Sequence, residues 1–366
     1  MYFYNFFFNY PHVCSIFCNF AAKMQNKGIQ CKGRIEYIDA LRGFTIILVV
    51  YSHICNFCLG DVHLGFNTKF FLFRLPCFFL ISGWLFQTVS FRPFRQIAKK
   101  KFMVQIVPTF IFLMLSAPPP EFFHQLGTLK GGYWFTFALF EFFMIYMFSV
   151  RFCRRWGMVL ALAVSVGSFW FVCSQNHLRI IAPNYSFLSP LLDIAGFLSI
   201  GVWRYYLFFY IGTLVRLHFD AFVKFTNKPW VVIILIVVFW SIAFTSHPES
   251  AVLEYLRFNF GGIFGMFMMF VLFRHSASRL KRLHLSEPLQ YVGTRTLDIY
   301  LLHYFFLPKF LMEYCPLLHS YNNSLLEFLV IIPIALIVVL ISLTASYIIR
   351  LSPFLAKYLF GVEKIV

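Results

Sequence analysis

Long apolar segments, separated by short polar connections, make up most of this 366-residue chain. A helix needs about twenty consecutive apolar residues to cross the hydrocarbon core of a bilayer. Ten segments approach that length, at approximately 38–58, 66–88, 100–117, 132–150, 157–174, 194–215, 229–246, 253–273, 294–314 and 326–350. The connections between them are too short to hold a soluble domain. The pattern predicts an all-α fold, a polytopic transmembrane helical bundle of about ten spans.

The composition excludes an ordinary soluble protein. Sixty per cent of the residues are hydrophobic and only 12% are charged, whereas a soluble chain of this length needs a large polar exterior. The net charge of +17 does not indicate nucleic-acid binding, because the basic residues occur in small clusters between apolar segments. We therefore expect membrane lipid as a partner and no nucleic acid.

Positive charge alternates along the connections, which predicts the orientation of the chain. Cytoplasmic loops retain Lys and Arg, and the opposite loops are poor in both. The intervening connections carry single basic residues such as Lys130 and Arg179. The predicted cytoplasmic clusters are Lys27, Lys32 and Arg34; Arg92, Arg95 and 99–101; Arg151, Arg154 and Arg155; Arg216, Lys224 and Lys228; Arg274, Arg279, Lys281 and Arg282; and Arg350, Lys357 and Lys364. Both termini are predicted to be cytoplasmic.

The chain is predicted to comprise three parts. Residues 1–34 form an amino-terminal segment, and its first part is an aromatic run without the basic region of a signal peptide. Met24 opens the polar stretch "MQNKGIQCKGR", so we interpret it as the true translation start; a short interfacial helix is the alternative. Residues 35–352 are the membrane domain, and residues 353–366 are a short cytoplasmic tail.

Two polar residues stand out in the first apolar segment, Arg42 near its cytoplasmic end and His53 toward the outer side. In a helix, eleven residues place both on one face, separated by about 16 Å of axial rise. Asp39 shares that face and can pair with Arg42. Arg42 alone can be explained by snorkelling to the headgroups, and His53 alone by helix packing. Their occurrence on one face favours a shared function.

Other predicted spans also carry polar side chains, which are costly inside a membrane and are therefore candidate functional groups. Arg74 lies well inside the second segment. Trp134 and Glu141 share one face of the fourth, where Glu141 is expected to meet a cation such as Arg74 or to line an aqueous cavity. Asp298 lies near the cytoplasmic end of the ninth segment and His303 near its middle. For His303, a structural hydrogen bond and a substrate contact are both consistent with the sequence.

Metal binding is not indicated. Only "HICNFC", with His53, Cys55 and Cys58, has the spacing of metal ligands, and a zinc site needs further ligands that the sequence does not make evident. The nine cysteines are scattered, mostly within apolar segments, so no disulfide framework is implied. We predict no metal cofactor.

Together these stretches resemble the acyltransferase-3 family of integral-membrane acyltransferases. The family signature, a basic residue, ten intervening residues and a histidine, is matched by Arg42 and His53 in "YIDALRGFTIILVVYSH". Supporting matches, in the family's order and spacing, are "RLPCFFLISGWLF", "YWFTFALFEFF", "FFYIGTLVR" and "GTRTLDIYLLHYF". The resemblance extends from Arg34 to about residue 310. Phe71 stands where some members carry a second arginine, and the hydrolase-like domain of some members has no counterpart here.

The resemblance implies transfer of an acyl group, commonly acetyl from acetyl-CoA, to a hydroxyl of a glycan or similar acceptor. It implies a multi-pass protein of the bacterial cytoplasmic (inner) membrane, with the donor cytoplasmic and the acceptor outside. Histidine suits removal of the acceptor's proton, and the arginine fork suits a phosphate or amide oxygen of CoA. The separation of about 16 Å is comparable with an extended pantetheine arm.

His53 is accordingly the predicted general base, and Arg42 the predicted contact to CoA. The developing oxyanion needs a donor, which Arg74, Trp134 or a backbone amide can supply. The candidate contacts to substrate or CoA are Asp39, Arg74, Trp134, Glu141, Asp298 and His303. A transporter or flippase for a glycan or lipid-linked precursor is the main alternative, and a structural membrane subunit is the third.

Overall fold

The structure is a computed structural model that describes residues 35–361 except for short internal gaps. The gaps are 61–64, 88–89, 91–92, 118–120, 128–129, 153–155, 182–186, 247–248 and 321–322. The predicted amino-terminal segment 1–34, including Met24, lies outside the described residues, as do residues 362–366. Within the described part, every regular element is helical, which confirms the all-α prediction.

The helices follow one another with short connections. In chain order they are α1 (Glu36–Cys58), α2 (Gly65–Gln87), α3 (Phe94–Lys101), α4 (Val107–Ser116), α5 (Glu121–Gly127), α6 (Trp134–Phe152), α7 (Gly157–Ile181), α8 (Leu188–Phe197), α9 (Tyr206–Leu217), α10 (Phe219–Thr226), α11 (Pro229–Ala243), α12 (Ala251–His275), α13 (Ala277–Arg282), α14 (Ser286–Thr294), α15 (Thr296–Leu302), α16 (Cys315–Ser320), α17 (Ser324–Arg350) and α18 (Pro353–Phe360). A π-helical turn, Phe102–Ile106, joins α3 to α4, and 3₁₀ segments occur at Lys130–Gly132, Ile200–Tyr205, His303–Phe306 and Lys309–Tyr314.

Six of the described helices are long and apolar enough to cross a membrane: α1, α2, α6, the Gly157–Gln175 part of α7, α12 and α17. Two bent pairs also qualify as broken spans, α8 with the segment through α9, at 48°, and α10 with α11, at 86°. The described chain therefore holds six to eight candidate spans, fewer than the ten predicted. The cytoplasmic location of both termini remains a prediction.

The two predicted segments that match neither a full-length candidate span nor a bent pair are 100–117 and 294–314, and each is interrupted for a local reason. In the first, a basic helix leads into the π-helical turn just before Pro108, whose ring cannot take part in a regular helical hydrogen bond. In the second, the seven residues of α15 give way to two 3₁₀ segments on either side of Pro308. Sequence hydropathy detects the apolar character of both segments but not these breaks.

Helices α1 and α14 touch through glycine. A Cβ atom added to Gly43 would lie 2.0 Å from the carbonyl oxygen of Leu289, and one added to Gly293 would lie 1.9 Å from that of Asp39. These distances leave no space for any side chain, so the two backbones are in direct contact. This contact sets the position of α1 against α14 and hence against α15, which follows it in the chain.

Helices α2 and α9 meet in the same manner. A Cβ atom at Gly83 would lie 2.0 Å from the Phe209 carbonyl oxygen, and one at Gly212 the same distance from that of Leu80. The most apolar windows of α1 and α2 are 83% and 72% buried, whereas those of α7 and α17 are 22% and 33% buried. The interior of the bundle is therefore built around α1 and α2.

Candidate functional site

A cavity of about 250 Å³ lies beside α1 and α2 in this interior. Four of the eight predicted site residues line it: Arg42, His53, Arg74 and Trp134. Because α1 is uninterrupted, Arg42 and His53 are about 16 Å apart along its axis. Both border one cavity, as expected from their common helix face. Its other polar lining residues are Ser82, Gln105, Thr136, Thr296 and Tyr300.

The Arg42 end of the cavity is held by contacts to two elements. The Arg42 Nη2 donates to the hydroxyl oxygen of Thr296 at 2.8 Å, which links α1 to α15. The Arg42 Nη1 lies 3.6 Å from the Asp39 Oδ1, so the predicted ion pair one helical turn away is confirmed. The Arg42 side chain is 26% exposed. Asp39 thus supports Arg42 and does not itself line the cavity.

Three aromatic rings, those of His53, His303 and Tyr304, pack together at the His53 end, and only His53 among them lines the cavity. The His53 Nδ1 lies 2.6 Å from the His303 Nε2, and the His303 Nδ1 lies 2.9 Å from the carbonyl oxygen of Ile299. Tyr304 stacks on His53, with its hydroxyl oxygen 3.5 Å from the His53 Nε2. His303 is completely buried and does not line the cavity. The structure therefore gives His303 a hydrogen bond to the predicted base.

A tight turn before α6 supports this end of the cavity. Tyr300 and Tyr304 both donate a hydrogen bond to the carbonyl oxygen of Gly132, at 2.9 and 3.1 Å. Gly132 has a φ of 93°, which favours glycine, and an added Cβ would lie 2.4 Å from the Tyr304 hydroxyl oxygen. The sequence reasoning missed Gly132 and Tyr304. The Gly-Gly pair at 131–132 was the available signal for a turn.

Arg74 brings a buried cation to the same cavity. Arg74 as a residue is 6% exposed, and its Nη1 donates to the Asn67 Oδ1 at 2.9 Å. Asn67 in turn donates to Asn56 at 3.2 Å. Among the residues the structure describes, no carboxylate lies within ion-pair distance of this guanidinium. Its charge is thus available to a group that carries or develops negative charge in the cavity.

Trp134 lines the cavity, but its predicted neighbour Glu141 does not. The Glu141 Oε2 accepts a hydrogen bond from the Trp203 indole at 2.8 Å. Glu141 was expected to meet a cation such as Arg74 or to line an aqueous cavity. Arg74 is the wrong cation, because it contacts the Asn67 amide, and the charge that acts on Glu141 is that of Lys130. Burial lowers the pKa of Lys130 to about 8, and the Glu141 carboxylate acts against that shift. Neither Glu141 nor Lys130 lines the cavity.

Asp298 also lies outside the cavity, in a cluster that joins α15 to α17. Arg350 donates to both of its carboxylate oxygens, at 2.8 and 2.9 Å, and Ser346 donates to the Oδ2. The Arg295 Nη1 lies 3.8 Å from the same oxygen. The Asp298 side chain is 3% exposed, so these groups compensate a carboxylate that water does not reach.

Asp298→Asn is expected to lower stability by roughly 2 kcal/mol, because it leaves Arg350 without its counter-charge in a partly buried site. The KM for the donor substrate predicted from the sequence is expected to stay unchanged, since Asp298 does not border the cavity. Thermal unfolding of the detergent-solubilised protein measures the first effect and steady-state kinetics the second. A raised KM with unchanged stability would instead place Asp298 in substrate binding.

The described side chains also bear on metal binding. Within the described ranges, no three residues among His, Cys, Asp and Glu gather in an arrangement that could hold a metal ion. The polar groups that line the cavity include a histidine, two arginines and an indole. Such a set can accept a proton at one end, neutralise negative charge nearby and bind an anionic or amide group at the other.

Comparison with known proteins adds one finding. A family model described as an acyltransferase domain, of the acyltransferase-3 type, matches residues 35–347. All residues that line the cavity, from Arg42 to Tyr300, lie within this range, as does His303. No match was found among curated proteins or among solved structures.

Proposed function

Because this chain belongs to the acyltransferase-3 family of membrane acyltransferases, we propose that it transfers an acetyl group, or another acyl group, from cytoplasmic acyl-CoA to a hydroxyl of a glycan or glycan precursor on the outer side of a bacterial inner membrane. The observation that carries this proposal is that Arg42 and His53 border the same cavity. A donor anchored at one end can present its thioester to a base at the other.

His53 acts as the general base in this reaction. The acceptor oxygen attacks the thioester carbonyl carbon while the His53 Nε2 takes the hydroxyl proton. The carbon–sulfur bond then breaks, the acyl group stays on the acceptor oxygen, and the proton on His53 passes to the departing CoA thiolate. During attack, the thioester oxygen gains negative charge that needs a donor. Arg74 and the Trp134 indole border the same cavity and supply the candidate donors.

Arg42 positions the donor. Its guanidinium presents a planar fork of N–H groups, which suits the phosphate and amide oxygens of CoA. Thr296 and Asp39 orient the fork at the cavity's edge. The rise of about 16 Å from Arg42 to His53 is close to the length of a pantetheine arm. The nucleotide of CoA therefore stays on the cytoplasmic side while its acyl end reaches His53.

Transfer of label from acetyl-CoA tests the activity. Purified protein is reconstituted with bacterial membrane glycans and lipid-linked glycans, and acetyl-CoA labelled in its acetyl group is added to the cytoplasmic face. We expect acetyl label in the glycan fraction and release of free CoA in equal amount. A transporter or flippase would leave the label on CoA, and that result would overturn the proposal.

Arg42→Ala is expected to weaken CoA binding by about tenfold or more, because a hydrogen bond to a charged group contributes roughly 1.5–3 kcal/mol. Arg42→Lys is expected to fall between Arg42→Ala and the unmodified protein, since it keeps the charge and loses the fork. Calorimetric titration with CoA measures the affinity. Arg279→Ala, which removes one charge from an exposed position on α13, is the matched control. Unchanged CoA affinity in Arg42→Ala would remove Arg42 from the donor site.

A further inference from the structure

The hydrogen bond between the two histidines has a direction, which the Ile299 carbonyl determines. The His303 Nδ1 lies 2.9 Å from the Ile299 oxygen, and because a carbonyl only accepts, this nitrogen carries a hydrogen. Among the described residues, no carboxylate lies within ion-pair distance of either imidazole, so no counter-charge favours an imidazolium here. In a neutral imidazole with a hydrogen on Nδ1, the Nε2 is an acceptor. The His303 Nε2 therefore accepts, and the His53 Nδ1 donates across 2.6 Å.

The tautomer of His53 also determines the state of its second ring nitrogen, Nε2. With its hydrogen on Nδ1, the neutral His53 has a lone pair on Nε2. The Tyr304 hydroxyl oxygen lies 3.5 Å from this Nε2, and that hydroxyl donates its one hydrogen to the Gly132 carbonyl at 3.1 Å. The lone pair on the His53 Nε2 is thus not consumed by Tyr304.

We propose that His303 is a positioning residue that, through the Ile299 carbonyl, holds His53 in the Nδ1–H tautomer and so makes its Nε2 the proton-accepting atom. The assignment of His53 as base rests on the proposed function; the tautomer itself does not. The arrangement has a chemical consequence for the transfer. When the Nε2 takes the acceptor's proton, the resulting imidazolium already donates its Nδ1–H to His303, so no ring rotation is needed before the proton moves on to the thiolate.

Nitrogen-15 spectroscopy reads the tautomer directly. Protein with ¹⁵N-labelled histidine is reconstituted in nanodiscs, and the His53 signals are assigned by their loss in His53→Gln. We expect the unmodified protein to show a hydrogen on the His53 Nδ1 and none on its Nε2. A His53 with its hydrogen on Nε2 would overturn the proposal, whatever the activity of the protein.

Two substitutions of His303 test its role. His303→Leu removes the acceptor and is expected to lose the fixed tautomer, with kcat lowered on the order of 100-fold and an unchanged KM for acyl-CoA. In His303→Gln, the amide N–H can donate to Ile299 and the amide oxygen can accept from His53. This variant is expected to keep the tautomer and to stay within about tenfold of the original kcat. His218→Leu, at an exposed histidine beyond α9, is the control.

The outcomes separate this proposal from the proposed function. If the spectrum shows the Nδ1–H tautomer and His53→Gln retains full turnover, the positioning contact stands and the base assignment fails. If His53→Gln is inactive and His303→Leu keeps both the tautomer and the turnover, the base assignment stands and the positioning role fails. Should His303→Leu not fold, the spectra of the unmodified protein and of His303→Gln still decide the tautomer.

Discussion

Replacing His53 with alanine is expected to lower kcat for acyl transfer by a factor on the order of 10² to 10⁴, the usual contribution of a positioned acid–base group. The affinity for CoA is expected to change by less than threefold, because the predicted CoA contact, Arg42, lies about 16 Å away along α1. Transfer of labelled acetyl groups measures the first quantity, and titration with CoA measures the second.

This prediction needs a control for structure, because the His53 ring stacks on Tyr304 and bonds to His303. His53→Gln keeps most of the side-chain volume and cannot act as a base at neutral pH, so it should be as inactive as His53→Ala while unfolding near the temperature of the unmodified protein. His218→Ala removes an exposed histidine and should leave kcat unchanged. Full turnover by His53→Gln would show that acceptor deprotonation does not depend on this residue.

Features within one regular helix were predictable from the sequence. Helical periodicity predicts that Arg42 and His53 share one face. The structure has both on that face because α1 continues without a break from residue 36 to residue 58. The pair of Asp39 and Arg42 follows from their spacing of three residues. Both inferences need only the regular geometry of one helix, and a hydrophobic segment of this length predicts such a helix.

Contacts between helices were not predictable in the same way. Periodicity cannot show which residue of α6 faces which residue of α2. Arg74 was therefore given as an example of a cation that Glu141 could meet, whereas Glu141 accepts a hydrogen bond from Trp203. The partner of His53 was missed for the same reason, since His303 follows α15, some 250 residues later. Such partners depend on how far one helix is shifted along another, and side-chain packing sets that shift.

The number of spans could not be predicted from hydropathy alone, because hydropathy does not show where a helix is interrupted. Hydropathy over 100–117 and 294–314 is high enough for a span, yet the first contains a π-helical turn and the second two 3₁₀ segments. The break in 294–314 is next to the site, because His303 and Tyr304 belong to the 3₁₀ segment His303–Phe306. Here the departure from a regular helix places two aromatic rings against His53.

The position of α1 against α14 and α15 fixes both ends of the cavity, and glycine contacts set that position. Gly293→Ala is therefore expected to lower stability by roughly 3 kcal/mol, since its Cβ would lie 1.9 Å from the Asp39 carbonyl oxygen and the backbones must separate. The shift would also displace Thr296 from Arg42 and His303 from His53. A misplacement of about 1 Å can cost about 100-fold in rate, so the folded fraction should lose activity as well.

Gly167→Ala on α7 is the matched control, because its added Cβ would meet no atom within 4 Å. This exposed helical position should gain up to about 1 kcal/mol from the better helix former and keep its kcat. Thermal unfolding in detergent and labelled acetyl transfer measure both variants. If Gly293→Ala matched Gly167→Ala in both, α1 and α14 would not be in backbone contact. The links from Arg42 to Thr296 and from His53 to His303 would then need another explanation, because both depend on that contact.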